Sequence, residues 1–98
     1  MLRWRTESHL RDHFERHGRN LGCRTVEAYD ASAQRTLAVG RYFEFQDDDT
    51  GETRVGCYDA PGQLLVILTT DDEIISHYSA TLRYVLDRPY SNYDEGDA

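Results

Sequence analysis

The chain has 98 residues, 39% of them apolar, with 18 acidic against 11 basic side chains and a net charge of −7. That length makes one domain with a small core, and no run of about 18 apolar residues is present that could span a membrane. The acidity argues against a generic nucleic-acid binder, because phosphate contacts supply most of that affinity. The charge is uneven, however. Residues 1–45 carry eight Arg against six acids, and residues 46–98 carry three Arg against twelve. All basic residues are Arg. Any nucleic-acid site is therefore local, and the N-terminal half is where it is expected.

The opening Met1-Leu2-Arg3-Trp4-Arg5 lacks the apolar region of a signal peptide, so the chain is expected in the cytoplasm. Cys23 and Cys57 have no CxxC spacing and read as free thiols. Thr6 or Ser8 can cap a first helix over about residues 7–17, with Glu7 in its first turn. Gly18 is expected to end it in the left-handed conformation. His9, His13 and His17 recur every four residues on that helix, beside a stripe of Leu10, Phe14 and Leu21. At about 100° per residue, His17 lies about 40° from the centre of the stripe, His13 about 80° and His9 about 120°. His17 should then face the core, His13 its edge and His9 solvent.

Thr25 caps a second helix over about 26–38, with Val26, Tyr29, Ala33 and Leu37 inward and Gly40 as its stop. After Gly40 the period becomes two. Arg41–Gln46, Arg54–Tyr58, Gln63–Thr69 and Glu73–Tyr78 read as four strands. The polar turns Asp47–Glu52, Asp59–Gly62 and Thr70–Asp72 join them. Alternation puts Ile75 and His77 on one face of the last strand and Ile74, Ser76 and Tyr78 on the other. Ser79 is expected to cap a short last helix that Pro89 ends. The expected fold is α+β: two N-terminal helices packed on one face of a four-stranded antiparallel meander, with a short C-terminal helix or turn. Residues 1–90 form the domain, and the polar, acidic residues 91–98 are expected to fray.

The histidines are the candidate chemistry. Imidazole titrates near neutrality, so His13 and His17 can act as acid and base in cleaving an RNA phosphodiester. His77 could meet the first helix across the sheet. Arg41 and Arg54, at the starts of the first two strands, could grip phosphate through their guanidinium forks. A metal is the rival use of the histidines, since His9, His13 and His17 have i, i+4 spacing and Cys23 follows. HxxxH alone is weak, and no Glu stands beside the first His as in HExxH, so no metal and no cofactor is expected. Asp47-Asp48-Asp49-Thr50-Gly51-Glu52 lacks the spacing of a calcium loop.

Four segments occur in a telling order: His13-Phe14-Glu15-Arg16-His17-Gly18, Thr25-Val26-Glu27-Ala28-Tyr29, Arg54-Val55-Gly56-Cys57-Tyr58-Asp59 and Ile74-Ile75-Ser76-His77-Tyr78. In that order and layout the chain resembles the small toxin-like domains of the barnase–EndoU–colicin E5/D–RelE group, found in phage, mobile elements and polymorphic toxin systems. The resemblance covers roughly residues 9–90. It implies N-terminal helices on a four-stranded antiparallel sheet and metal-independent RNA cleavage. It also implies that His13 and His17 match the helix histidines, Arg54 the strand cation, and Ser76 with His77 the last-strand polar pair, where Thr is frequent. Members are commonly basic, whereas this chain is acidic.

The expectation is a ribonuclease-like toxin domain with His13, His17, Arg54, Ser76 and His77 as its catalytic set. Arg16, Arg41 and Tyr58 are its expected substrate contacts. Its expected partners are RNA, tRNA among the candidates, and a cognate immunity or antitoxin protein, with no membrane. The alternative is a non-enzymatic acidic protein of a phage or mobile element that occupies a basic partner.

Overall fold

A computed structural model describes residues 1–95. Helix α1 spans Glu7–His17, a single 3-10 turn follows at Arg19–Leu21, and α2 spans Val26–Val39. Strands β1 (Arg41–Gln46), β2 (Thr53–Asp59), β3 (Leu64–Leu68) and β4 (Ile74–Ser79) precede a short helix α3 (Leu82–Leu86). Each helix starts where a threonine hydroxyl can take an orphan amide. Thr6 accepts from His9 N at 3.0 Å, Thr25 from Ala28 N at 3.1 Å and Thr81 from Tyr84 N at 3.1 Å. Thr81, not the expected Ser79, caps α3, because Ser79 is still paired with Leu64 in the sheet. Gly18 keeps right-handed helical angles and passes the chain into the 3-10 turn; the left-handed residue is Gly22, with φ 72°.

The four strands form one antiparallel sheet in the order β1-β2-β3-β4, as the periodicity predicts. Its register sorts the side chains. Phe43, Phe45, Tyr58, Leu65 and Ile67 face α3 and, with Val85, form one cluster. Cys57, Val66, Leu68 and Ile74 face α2 and Ala33 in a second cluster. The expected α+β layout holds, with the two N-terminal helices packed on the four-stranded sheet: α2 covers one side, α1 lies along the edge strand β4, and the short α3 covers the other side. That edge is further closed by the N-terminal segment. Trp4 bridges Ile74 in parallel, Arg5 N donates to Ile74 O at 2.8 Å, and Ile74 N donates to Arg3 O at 2.8 Å. Covering an edge in this way removes an exposed pairing surface.

Strand β4 carries a bulge. Ile67 pairs with Ser76 but Leu68 pairs with Ile74, leaving Ile75 as the extra residue. The face assignment expected from strict alternation fails at this point. Ile74 and His77 lie on the α2 side, while Ile75, Ser76 and Tyr78 lie on the α3 side.

The segment expected to fray docks instead through its first residues. Asn92 exchanges hydrogen bonds with Glu44, its backbone N donating to Glu44 O at 3.0 Å and its Oδ1 accepting from Glu44 N at 2.7 Å. The Tyr93 ring meets Phe43 and Tyr58 edge-on, with centroids 5.4 and 5.7 Å away. Residues 96–98 of that expectation lie outside the described residues.

Candidate active site

Helix α1 runs beside β4, so its histidine row overlooks the α3 side of the sheet edge. The three rings stack along the helix, with centroids 6.4 Å apart from His9 to His13 and 5.7 Å from His13 to His17. His13 Nδ1 lies 3.1 Å from Ser76 Oγ. The His17 ring lies 5.3 Å from that of Tyr78. The bulge at Ile75 makes this meeting possible, because it turns Ser76 onto the face that α1 overlooks. His13 Nε2 has no protein hydrogen bond among the described residues.

His13, Ser76 and Tyr78 line one wall of a cleft of about 420 Å³, and His17 sits behind them, against His13 and Tyr78. Tyr84 and Arg88 from the α3 region form a second wall, and Asp47, Asp48 and Asp49 from the β1–β2 turn form the third. His9 also lines it and is half-buried rather than solvent-facing. The helical angle placed it outward on an isolated cylinder, whereas in the fold it shares the cleft with the acidic turn.

Both His13 and His17 are held below the ordinary imidazole range. Loss of solvent is the main cause for each, and the Arg16 guanidinium adds to it. For His13 the neighbouring His17 lowers it further, while Asp12 pulls the other way. The site thus favours neutral imidazoles near pH 7, and two that repel each other's protons.

His77 is separate. Its side chain is 0% exposed on the α2 side of the sheet. Nδ1 lies 3.0 Å from Leu65 O and Nε2 lies 2.9 Å from Ser32 Oγ. A carbonyl only accepts, so Nδ1 carries the hydrogen and the Ser32 hydroxyl donates to Nε2. Tyr29 packs at a tilt against the ring, and its hydroxyl donates to the His77 carbonyl. With both nitrogens committed and no exposure, His77 cannot touch a substrate in the cleft.

The remaining expected contacts also lie elsewhere. Tyr58 is 1% exposed and spends its hydroxyl on Ala80 O at 2.8 Å. Arg54 does not line the cleft; it pairs with Glu52 at 2.8 Å. Arg41 donates to Asp94 O at 2.8 Å. Arg16 points outward to Asp12 at 2.6 Å. The structure brings His13, His17 and Ser76 together and leaves out His77, Tyr58, Arg54, Arg41 and Arg16. Arg88, which sequence reasoning passed over as the residue before a helix-ending proline, is the cation that faces them. Cys23 and Cys57 are free thiols. Among the described residues, no group of three or more His, Cys, Asp or Glu is placed to hold a metal ion, and no helix is long and apolar enough to cross a membrane.

No family model and no solved structure matches the chain. Among curated proteins, it is 30% identical over 79 residues to a protein of the yeast Vanderwaltozyma polyspora named "Putative lipase ATG15". The match covers 81% of this chain and 12% of the relative, so the chain spans about an eighth of that protein's length.

Proposed function

We propose that the protein is a metal-independent ribonuclease-like toxin domain whose acid–base pair is His13 and His17. The observation that carries this reading is a neutral imidazole, His13, fixed by Ser76 at the wall of an open cleft, with a second imidazole stacked beside it. In the tautomer whose Nδ1–H donates to Ser76 Oγ, Nε2 of His13 is the basic nitrogen. It takes the proton of an RNA 2′-hydroxyl while the 2′-oxygen attacks phosphorus. The bond from phosphorus to the 5′-oxygen breaks, and that oxygen receives the proton of a protonated His17. The products are a 2′,3′-cyclic phosphate and a 5′-hydroxyl. The pair works when it holds one proton between its members, which gives a bell-shaped pH–rate profile. Because both imidazoles are held below their ordinary range, the bell lies on the acid side of one built from unperturbed histidines.

A lipase needs a serine activated by a histidine that an acid orients. Two serines meet histidines here: Ser32 meets His77, which has a backbone carbonyl in the place of that acid and a fully buried ring, and Ser76 meets His13, whose other nitrogen has no carboxylate hydrogen bond among the described residues. The cleft beside α1 therefore supports RNA cleavage better than ester hydrolysis.

One observation favours a second reading, an acidic protein that occupies a basic partner. In the meander, the β1–β2 and β3–β4 turns lie at the same end of the sheet. Asp47, Asp48, Asp49, Glu52, Asp71 and Asp72 gather there.

The test is incubation with total tRNA and ribosomal RNA in EDTA, beside the His13→Ala/His17→Ala variant. Cleavage to cyclic-phosphate ends, reduced at least about 100-fold in the variant, is the expected result. Cleavage by neither protein moves the function to the acidic binding surface, and cleavage by both removes α1 from the chemistry.

A further inference from the structure

The acidic wall of the cleft is at odds with a phosphodiester substrate unless something in the cleft prefers phosphate to carboxylate. Arg88 has that character. Its Nε donates to Tyr84 O at 3.0 Å, and its guanidinium carbon lies 3.8 Å above the centre of the Tyr84 ring. These contacts fix the plane of the group and leave its terminal fork facing the β1–β2 turn. There Nη1 meets Asp48 Oδ2 at 3.6 Å. That is well beyond the 2.7–2.9 Å of a charge-assisted hydrogen bond.

The turn is held from its other side. Asp47 accepts from Thr50 N and Thr50 Oγ1, each at 3.0 Å, and Asp47 N donates to Glu52 O at 2.8 Å. Asp48 is thus presented to Arg88 by a braced turn but does not seat on it. The Arg88 side chain is 22% exposed and that of Asp48 is 63% exposed, so the carboxylate can leave more readily than the guanidinium. The seat is also joined to the histidines, since the Tyr84 and Tyr78 hydroxyls lie 2.9 Å apart and the Tyr78 ring packs at a tilt against that of His17.

We propose that Arg88 is a phosphate seat, and that Asp48 stands over it as a displaceable carboxylate until a phosphate takes both arms of the fork. The choice of an RNA phosphodiester as occupant rests on the ribonuclease reading; the seat itself does not. A phosphate offers two oxygens in the spacing of the fork, which a planar guanidinium grips in a way Lys cannot. The carboxylate sets a threshold: weak or singly bound anions do not displace it, whereas a nucleic-acid backbone held along the cleft does.

The test is binding without chemistry. The probes are a short single-stranded 2′-deoxyoligonucleotide, which has no attacking hydroxyl, and inorganic phosphate alone. Each is titrated against the full chain while the Arg88 Nε–H and histidine ring signals are followed by NMR. Arg88→Gln should weaken oligonucleotide binding at least about tenfold, as expected for loss of a charged hydrogen-bond donor. Asp48→Asn should tighten it about three- to five-fold, the scale of one exposed ion pair. Arg88→Lys keeps the charge and stem but not the fork, and should fall between wild type and Arg88→Gln, which separates loss of the seat from loss of the fold. Saturation by inorganic phosphate with the same variant ranking supports the seat but assigns it to free phosphate. Wild-type affinity in Arg88→Gln, or weaker binding in Asp48→Asn, overturns the proposal. The two readings part cleanly. Oligonucleotide binding through Arg88 with no RNA cleavage keeps the seat and ends the ribonuclease reading. Cleavage with Arg88→Gln indistinguishable from wild type does the reverse.

Discussion

His77 is a buried imidazole whose two nitrogens are both spent inside the protein, on Leu65 O and Ser32 Oγ. Burial is the first cause that lowers its proton affinity below the ordinary 6.5, with the charge of His17 adding to it and the Leu65 bond opposing it. The unfolded chain therefore binds more protons than the folded one in the window from about 6.5 down to the folded value. Stability is intact above that window and lost as pH falls through it. His13 and His17 shift the same way and add to the loss. Urea unfolding at about pH 7.5 and 5.5 should show the wild type clearly weaker at the lower pH. His77→Gln should cost about 1–3 kcal/mol at the higher pH, through unsatisfied partners, and should lose less on acidification. An equal acid loss in both proteins would place the sensitivity on other groups. This role as a structural imidazole was not visible in the residue type or its spacing. A histidine after two isoleucines suits either face of a strand, and the bulge at Ile75 chose the interior.

Helix α1 contains no fully buried residue. Its ion pairs, Glu7 with Arg11 and Asp12 with Arg16, are exposed on both sides and contribute little. What holds it is the Thr6 cap, the ring stack and docking along β4. Thr6→Ala should cost about 1 kcal/mol and speed amide exchange along α1 about fivefold, read by NMR. Unchanged exchange would mean that the edge docking alone sets the helix. The start of this helix, like that of α2, was legible because a threonine stands before each periodic stretch. The strands were legible because the period changes after Gly40. Three features were not, and each is a contact between distant parts of the chain. Trp4 docks on Ile74 and donates from Nε1 to Asp30 at 2.9 Å. Tyr93 enters the cluster of Phe43 and Tyr58. Arg88 turns back onto Tyr84 and toward Asp48. Local pattern carries no signal for any of them. The pairing of His13 with Ser76 was reachable from sequence only as two polar groups on elements expected to touch; the bulge that aims Ser76 was hidden in the Ile-Ile pair.

The whole molecule carries −7, the same sign as RNA, and under the proposed ribonuclease reading this bears on how a substrate arrives rather than on how it is cut. A basic nuclease making six to ten phosphate contacts loses about 10³–10⁵ in affinity between about 50 and 200 mM salt. Here the cleft presents Arg88 against three aspartates, and the acidic end of the sheet stands beside it. Long-range repulsion and the single cation oppose each other, so kcat/KM on tRNA should change less than about threefold over that range. Asp71 and Asp72 separate the field from the site, because they occupy the β3–β4 turn at the acidic end and do not line the cleft. Asp72 has φ 65°, a conformation that Asn tolerates well, so Asp71→Asn/Asp72→Asn removes two charges with little backbone cost. That variant should raise kcat/KM at about 20 mM salt and match the wild type at about 300 mM, where the screening length falls below the span of the end. The rise should leave kcat unchanged, since neither residue reaches the reacting groups. A variant equal to wild type at both salts would show that the substrate does not feel the acidic end. A rise that survives high salt would mean that the turn touches the substrate directly.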